Sequence, residues 1–227
     1  MQHVLVTGAN RGLGLAFCRH YLAQGYQVTA ACRDPDAAKE LQALTGALNI
    51  VQLDLADAES IQRLSSEFAN STLDILVNNA GVYGGSPQGL DDLESGPWLN
   101  TFLVNSVAPV LLTRALLPAL QRSNSAKIAF LTSKMGSIGD NSSGRSYIYR
   151  SSKAALNAAI KSLAIDLAEL NIPVIALHPG WVRTDMGGPN GLIDSKESIA
   201  GLSQVIDNLA LEQSGCFVDY RGDSIPW

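Results

Sequence analysis

The stretch HVLVTGANRGLGLAF, His3 to Phe17, runs from a short β-branched segment through a glycine-rich loop into residues of helical period. Gly8, Gly12 and Gly14 fall between the expected strand and helix. Glycine there tolerates positive φ and lets the backbone approach a ligand, while the helix behind offers free N–H groups to an anion. The loop reads as a pyrophosphate seat in which Gly8, Asn10, Arg11, Gly12, Leu13 and Gly14 touch the ligand. The bland alternative is a tight turn, and the position in the first strand–helix unit favours the nucleotide.

Outward from that unit, strands and helices alternate. Strands are expected at HVLVT, YQVTAAC, NIVQLDL, LDILVNN, KIAFLTS, PVIALHP and CFVDY. Helices are expected over Leu13–Gln24, Asp36–Thr45, Ala58–Asn70, Pro97–Gln121, the segment bearing Tyr149 and Lys153, and Ser195–Leu209. Runs such as DILV and VIAL are too continuously apolar to keep a solvent face, so a mainly parallel sheet of seven strands with helices on both faces follows. The fold class is α/β, a single doubly wound domain over 1–227. Its cofactor half covers about 1–120 and its catalytic and substrate half about 121–227. In such sheets ligands bind at the carboxyl ends of the strands, where the loops Gly84–Gly89, Gly136–Gly144 and Gly187–Gly191 would all open.

The 227 residues carry a net charge of −5 without a basic run, which argues against nucleic acid as a partner. Cys18, Cys32 and Cys216 form no CxxC and read as reduced thiols in a cytoplasmic setting. The amino terminus shows no export signal. The greasiest segment, VAPVLLTRALLPAL, is interrupted by Pro109, Arg114 and Pro118 and reads as a buried helix, too short for a membrane. His3, His20 and His178 stand apart from other ligating residues, so no metal site is expected.

The residue after the second strand decides how the adenosine ribose is held. Here the turn is ACRDP, with Arg33 after Cys32 and a second guanidinium, Arg11, in the glycine loop. Two arginines near one ribose favour a 2′-phosphate, hence NADP(H), with NAD(H) possible should Asp34 reach the ribose instead of pairing with Arg33 or capping the next helix. Asp54 ends the third strand, where it meets the adenine amino group or caps the next loop. Tyr149 and Lys153 stand four apart in SYIYRSSKAAL, so both leave one helix face, and the ammonium, together with an oxidised nicotinamide, should make the phenol more acidic. Tyr147 has Ser151 at that spacing and no such partner.

These residues resemble the short-chain dehydrogenases/reductases, whose domain is of Rossmann type. The motif TGxxxGxG appears as Thr7 to Gly14, NNAG as Asn78, Asn79, Ala80 and Gly81, the helix asparagine as Asn105, YxxxK as Tyr149 to Lys153, and PG as Pro179 and Gly180 followed by Thr184. The ending GCFVDYRGDSIPW is similar to the short C-factor and carbonyl-reductase-like branch. The resemblance implies a Ser133, Tyr149, Lys153 and Asn105 site. Ser133 would direct the substrate oxygen, Tyr149 would exchange the proton, Lys153 would also hold the nicotinamide ribose, and Asn105 would order a relay water. It further implies cofactor contacts from Leu55, Asn79, Ala80, Gly81, Pro179, Gly180, Val182 and Thr184, with Asn79 mainly bracing strands. Ser137 competes with Ser133 because the interval to Tyr149 is long, and is expected out in the loop. Trp181 and Met186 are substrate walls or exposed loop residues.

The expected activity is reduction of a small-molecule carbonyl, or oxidation of the matching alcohol. The alternative is a nucleotide-binding signalling protein of the C-factor type. The substrate would be chosen by Gly84–Ser95, Gly136–Ser146 and Met186–Ser195. Family members pair through the helices carrying Asn105 and Tyr149, so a homodimer or homotetramer is implied.

Overall fold

A computed structural model describes residues 1–227. Seven strands form one sheet: β1 His3–Thr7, β2 Gln27–Cys32, β3 Leu48–Gln52, β4 Ile75–Asn78, β5 Lys127–Leu131, β6 Val174–His178 and β7 Phe217–Asp219. Their order is β3-β2-β1-β4-β5-β6-β7, every pairing is parallel, and Val4 lies opposite both Val28 and Ile75.

The helices are α1 Gly12–Ala23, α2 Lys39–Gln42, α3 Ala58–Glu67, α4 Ser95–Phe102, α5 Ala108–Gln121, α6 Tyr147–Asp166 and α7 Ser195–Asp207. Alternation along β1 divides the core. Val4 and Val6 point into a cluster with Phe17, Tyr21, Leu202 and Ile206 of α1 and α7. Leu5 points the other way, into Leu64, Leu112, Leu116, Leu156 and Ile160 of α3, α5 and α6. Each fully buried leucine contributes about 1.5–3 kcal/mol relative to exposure, so strands with both faces covered must read as continuous apolar runs.

Two helices depart from expectation. Asp36–Thr45 is reduced to the single turn α2, because Asp34 Oδ1 accepts from Ala37 N–H at 3.1 Å and Gln42 donates its side-chain amide to Pro35 O at 2.8 Å. These bonds hold the segment as a turn. The long helix starts at Ser95 and runs to Gln121 through a π-helical turn, Leu103–Val107. Pro109 has no N–H to give the carbonyl four residues back, and its ring clashes there; that carbonyl belongs to Asn105. The widened turn follows from this clash. At 27 residues the helix is long and apolar enough to cross a membrane, which corrects the shorter reading, but Leu112, Leu116 and Leu120 are wholly buried in the core.

Candidate active site

The strand order reverses between β1 and β4, which opens a crevice at their carboxyl ends. The glycine loop lies on it. Whereas Asp57 and Asp194 cap α3 and α7 with their carboxylates, Arg11 at the N-cap of α1 makes no side-chain cap. The first N–H groups of α1 therefore remain available, beside the exposed Asn10, Arg11 and Gly12 and half-buried Leu13. A Cβ on Gly14 would stand 2.1 Å from Gly8 O, so only glycine lets the loop fold down onto the helix. Uncapped N–H groups, an exposed backbone and a guanidinium fit a pyrophosphate.

Next to the loop, Thr7 Oγ1 accepts from the N–H groups of Asn79 and Ala80, each at 3.0 Å. The Asn79 side-chain amide donates to Thr7 O at 2.8 Å and Gly8 O at 3.3 Å. Both its protons are spent on joining β4 to the glycine loop, which leaves the half-buried backbone of Ala80 and Gly81 as the surface presented to the crevice.

At the carboxyl end of β2 Arg33 is exposed and none of the ion pairs engages it. The Asp34 carboxylate serves its own turn, as described above. Arg11 lies 3.2 Å from Asp185, a pair whose side chains are 67% and 79% exposed. Such pairs contribute about 0–1 kcal/mol, so Arg11 is easily redirected to a stronger anion. Asp54 Oδ1 accepts from Ala56 N–H at 2.9 Å. Leu55 and Val182 are buried in the core, so only their backbone can meet a ligand.

The loop after β6 comes down on the glycine loop: a Cβ on Gly12 would stand 3.8 Å from Thr184 Cγ2. Thr184 Oγ1 accepts from Gly187 N–H at 3.1 Å, and Pro179 O accepts from Ser198 Oγ at 2.6 Å, fixing the half-buried Pro179–Gly180 turn. Trp181 and Met186 are half exposed, and the indole N–H donates to Gly187 O.

Between β4, β5 and α6 the remaining groups converge. Lys153 is buried and its Nζ donates to Leu131 O at 2.8 Å, 5.9 Å from the centre of the Tyr149 ring. Asn105, in the π-helical turn, accepts from Val82 N–H at 2.8 Å and donates to Val82 O at 2.8 Å and Ser152 Oγ at 3.0 Å. Gly81 lies against both: a Cβ there would stand 3.2 Å from Asn105 Oδ1 and 3.5 Å from Lys153 Nζ. Ser133, at the end of β5, is buried, accepts from Met135 N–H at 3.1 Å, and faces the phenol of Tyr149. Ser137 is also buried, contrary to expectation, and caps Asp140 N–H at 3.0 Å. The cause is Gly136, whose missing side chain lets this turn press on α6; a Cβ would stand 2.8 Å from Lys153.

The electrostatics also differ from expectation. Burial pushes the Tyr149 phenol up to about 12, with Ser133 pulling the other way and Tyr83 pushing further up. Burial takes the Lys153 ammonium down to about 8. Desolvation of both groups outweighs the attraction of an ammonium held nearly 6 Å from the ring. At neutral pH the phenol is protonated.

Several residues at this centre had no signal in the sequence. Tyr83 packs on Tyr149 with ring centres 4.9 Å apart. Ser152 donates to Tyr149 O at 2.8 Å while accepting from Asn105. Gln88 accepts from the Tyr149 N–H. Their roles depend on contacts between segments distant in the chain.

A family model described as short chain dehydrogenase matches residues 2–192. Among curated proteins, "C-signal" of Myxococcus xanthus is 40% identical over 167 residues, 74% of this chain and 100% of its own. A 1-hydroxy-2-glutathionyl-2-methyl-3-butene dehydrogenase of Rhodococcus is 32% identical over the full length of both. Among solved structures, an NADPH-bound carbonyl reductase from chicken fatty liver matches with TM-score 0.94 and 36% identity, over 100% of this chain and 99% of that one. A carbonyl reductase of Pseudomonas aeruginosa in complex with NADP matches with TM-score 0.90 and 36% identity over the whole of both.

Proposed function

Since the chain belongs to the short-chain dehydrogenase family, we propose that it is an NADP(H)-dependent oxidoreductase that reduces a small-molecule carbonyl, with Ser133, Tyr149, Lys153 and Asn105 as its site. One observation carries the reading: Lys153 of α6 and Asn105 of the long helix meet at Gly81 beside the crevice, where Lys153 is anchored on Leu131 O of β5 and Ser133 faces Tyr149. The cofactor half covers residues to about 120 and the catalytic and substrate half those beyond, with Asn105 and Lys153 serving across the division.

Carbonyl reduction needs a hydride on carbon and a proton on oxygen. A bound nicotinamide, its ribose on Lys153, would supply the hydride. Ser133 directs the carbonyl oxygen by a hydrogen bond, and the Tyr149 phenol, protonated at neutral pH, gives its proton as charge develops on that oxygen. An alkoxide is far more basic than a phenolate, so a phenol raised by burial still transfers downhill. Lys153, buried on the same helix face, stabilises the phenolate that is left and holds the ribose. Asn105 spends both amide protons on Val82 O and Ser152, and keeps one lone pair on Oδ1 for a water that returns a proton from solvent. The exposed Arg33, with Arg11 released from Asp185, receives the 2′-phosphate.

A second reading, a nucleotide-binding signalling protein with little turnover, is favoured by the 40% identity to C-signal. NADPH consumption with a panel of aldehydes, ketones and quinones separates the two. The enzyme reading expects turnover that Tyr149→Phe lowers by at least about 100-fold while NADPH still binds. Signalling alone expects binding without turnover in either protein.

A further inference from the structure

Helix α6 begins without a cap of its own. Ser146 occupies the N-cap position in left-handed backbone, φ 50° and ψ 39°, and its side chain makes no capping bond. Its hydroxyl is bound instead to the Tyr83 hydroxyl at 3.0 Å. The Arg150 N–H reaches Ser146 O at 2.8 Å, but the Tyr149 N–H, in the first turn, has no carbonyl one turn back to reach. That N–H is buried, and the acceptor it finds is Oε1 of Gln88 at 3.1 Å.

Gln88 belongs to the segment between β4 and α4 and is 6% exposed. Its NH2 donates to Tyr83 O and to Gly85 O, both at 2.8 Å. Only this orientation of the amide satisfies all three partners; turned over, it would face two carbonyls with an oxygen and an N–H with an NH2. One buried side chain thus fixes the turn Tyr83–Gly85 and the first turn of α6 together. The Tyr83 ring that it holds lies on the ring of Tyr149.

We propose that Gln88 is a positioning residue: it caps α6 from the segment Gly84–Ser95 and so sets where Tyr149 presents its hydroxyl to the substrate. The segment that borders the substrate and the helix that carries the acid then move as one unit. This inference rests on Tyr149 being the proton donor.

Three measurements test it on the full chain. In the wild type with NADPH, amide hydrogen exchange should show the Tyr149 N–H protected like those of the helix interior. Gln88→Leu should lower kcat by about 10- to 100-fold, as small displacements of a reacting group do, with the NADPH Kd unchanged. Gln88→Glu sets a carboxyl beside the acid, and should move the ionisation seen in the pH profile of kcat upward or add a second one. A Tyr149 amide that exchanges like an exposed loop, or Gln88 variants with the wild-type kcat and pH profile, overturns the role. The exchange arm decides even if the variants do not fold. Turnover retained in Tyr149→Phe would instead sink the reading beneath it.

Discussion

Replacing Asn105 by alanine removes three hydrogen bonds at one point of the structure. Asn105 is 1% exposed and holds both backbone groups of Val82, each at 2.8 Å, together with the Ser152 hydroxyl at 3.0 Å. Ser152 keeps its bond to Tyr149 O, so its loss is small. The N–H and C=O of Val82 are left without partners, and an unmade buried bond costs about 1–3 kcal/mol. Val82 is only half-buried, so water recovers part of this, and the expected loss is about 2–4 kcal/mol. For a chain of this size that is a fall in Tm of about 4–16 °C. Urea unfolding of the cofactor-free protein, followed by circular dichroism, measures it as a lower midpoint at unchanged slope. NADPH affinity and turnover should fall as well, because the turn beside Lys153 slackens. A loss below about 0.5 kcal/mol, within the range of ordinary surface substitutions, would refute the bracing of Val82 by Asn105.

Arg33→Ala should weaken NADPH by about 10- to 100-fold, the worth of a hydrogen bond to a charged group, and leave NADH nearly unchanged; equal losses for both cofactors would remove Arg33 from the 2′-phosphate. Lys153 titrates near 8 in the fold and at 10.5 when unfolded, so between those values the unfolded chain binds more protons. The stabilisation it contributes is present above pH 10.5 and lost as pH falls through 8, so wild type should gain on Lys153→Met from pH 8 to 10; parallel unfolding curves would contradict this. Above pH 10 the raised phenol acts in the opposite sense, and wild type should lose stability relative to Tyr149→Phe as pH rises toward 12. Gly14→Ala forces a Cβ to 2.1 Å from Gly8 O and should destabilise by at least about 3 kcal/mol while abolishing NADPH binding, read by unfolding and by fluorescence titration.

The alternation of apolar runs with helical segments was enough to give a doubly wound sheet, because strands covered on both faces have no polar side to display. Gly8, Gly12 and Gly14 marked the crevice, since Gly8 and Gly12 hold positive φ and Gly14 has no room for a side chain against Gly8 O. Tyr149 and Lys153 were paired by helical spacing alone. Pro109 was visible too, although its consequence, a widened turn at Asn105, needed the helix to be continuous.

Other features depended on parts of the chain that meet only after folding. Asp36–Thr45 has helical composition, but Asp34 and Gln42 close it as a turn. The acidity of Tyr149 could not be read from its spacing to Lys153, because the spacing gives the distance between the two groups and says nothing of how deeply each is buried. Burial raises the phenol and lowers the ammonium, and it is produced by β5, the turn at Gly136 and the ring of Tyr83 together. The sequence by itself determined which local segments form and which residue types they carry, since these follow from periodicity and backbone freedom. Only the tertiary structure decided how Gln88 and Ser133 reach Tyr149, how Asn105 reaches Val82 and Ser152, and what protonation Tyr149 holds, because desolvation and hydrogen bonding are set by neighbours that sequence distance does not reveal.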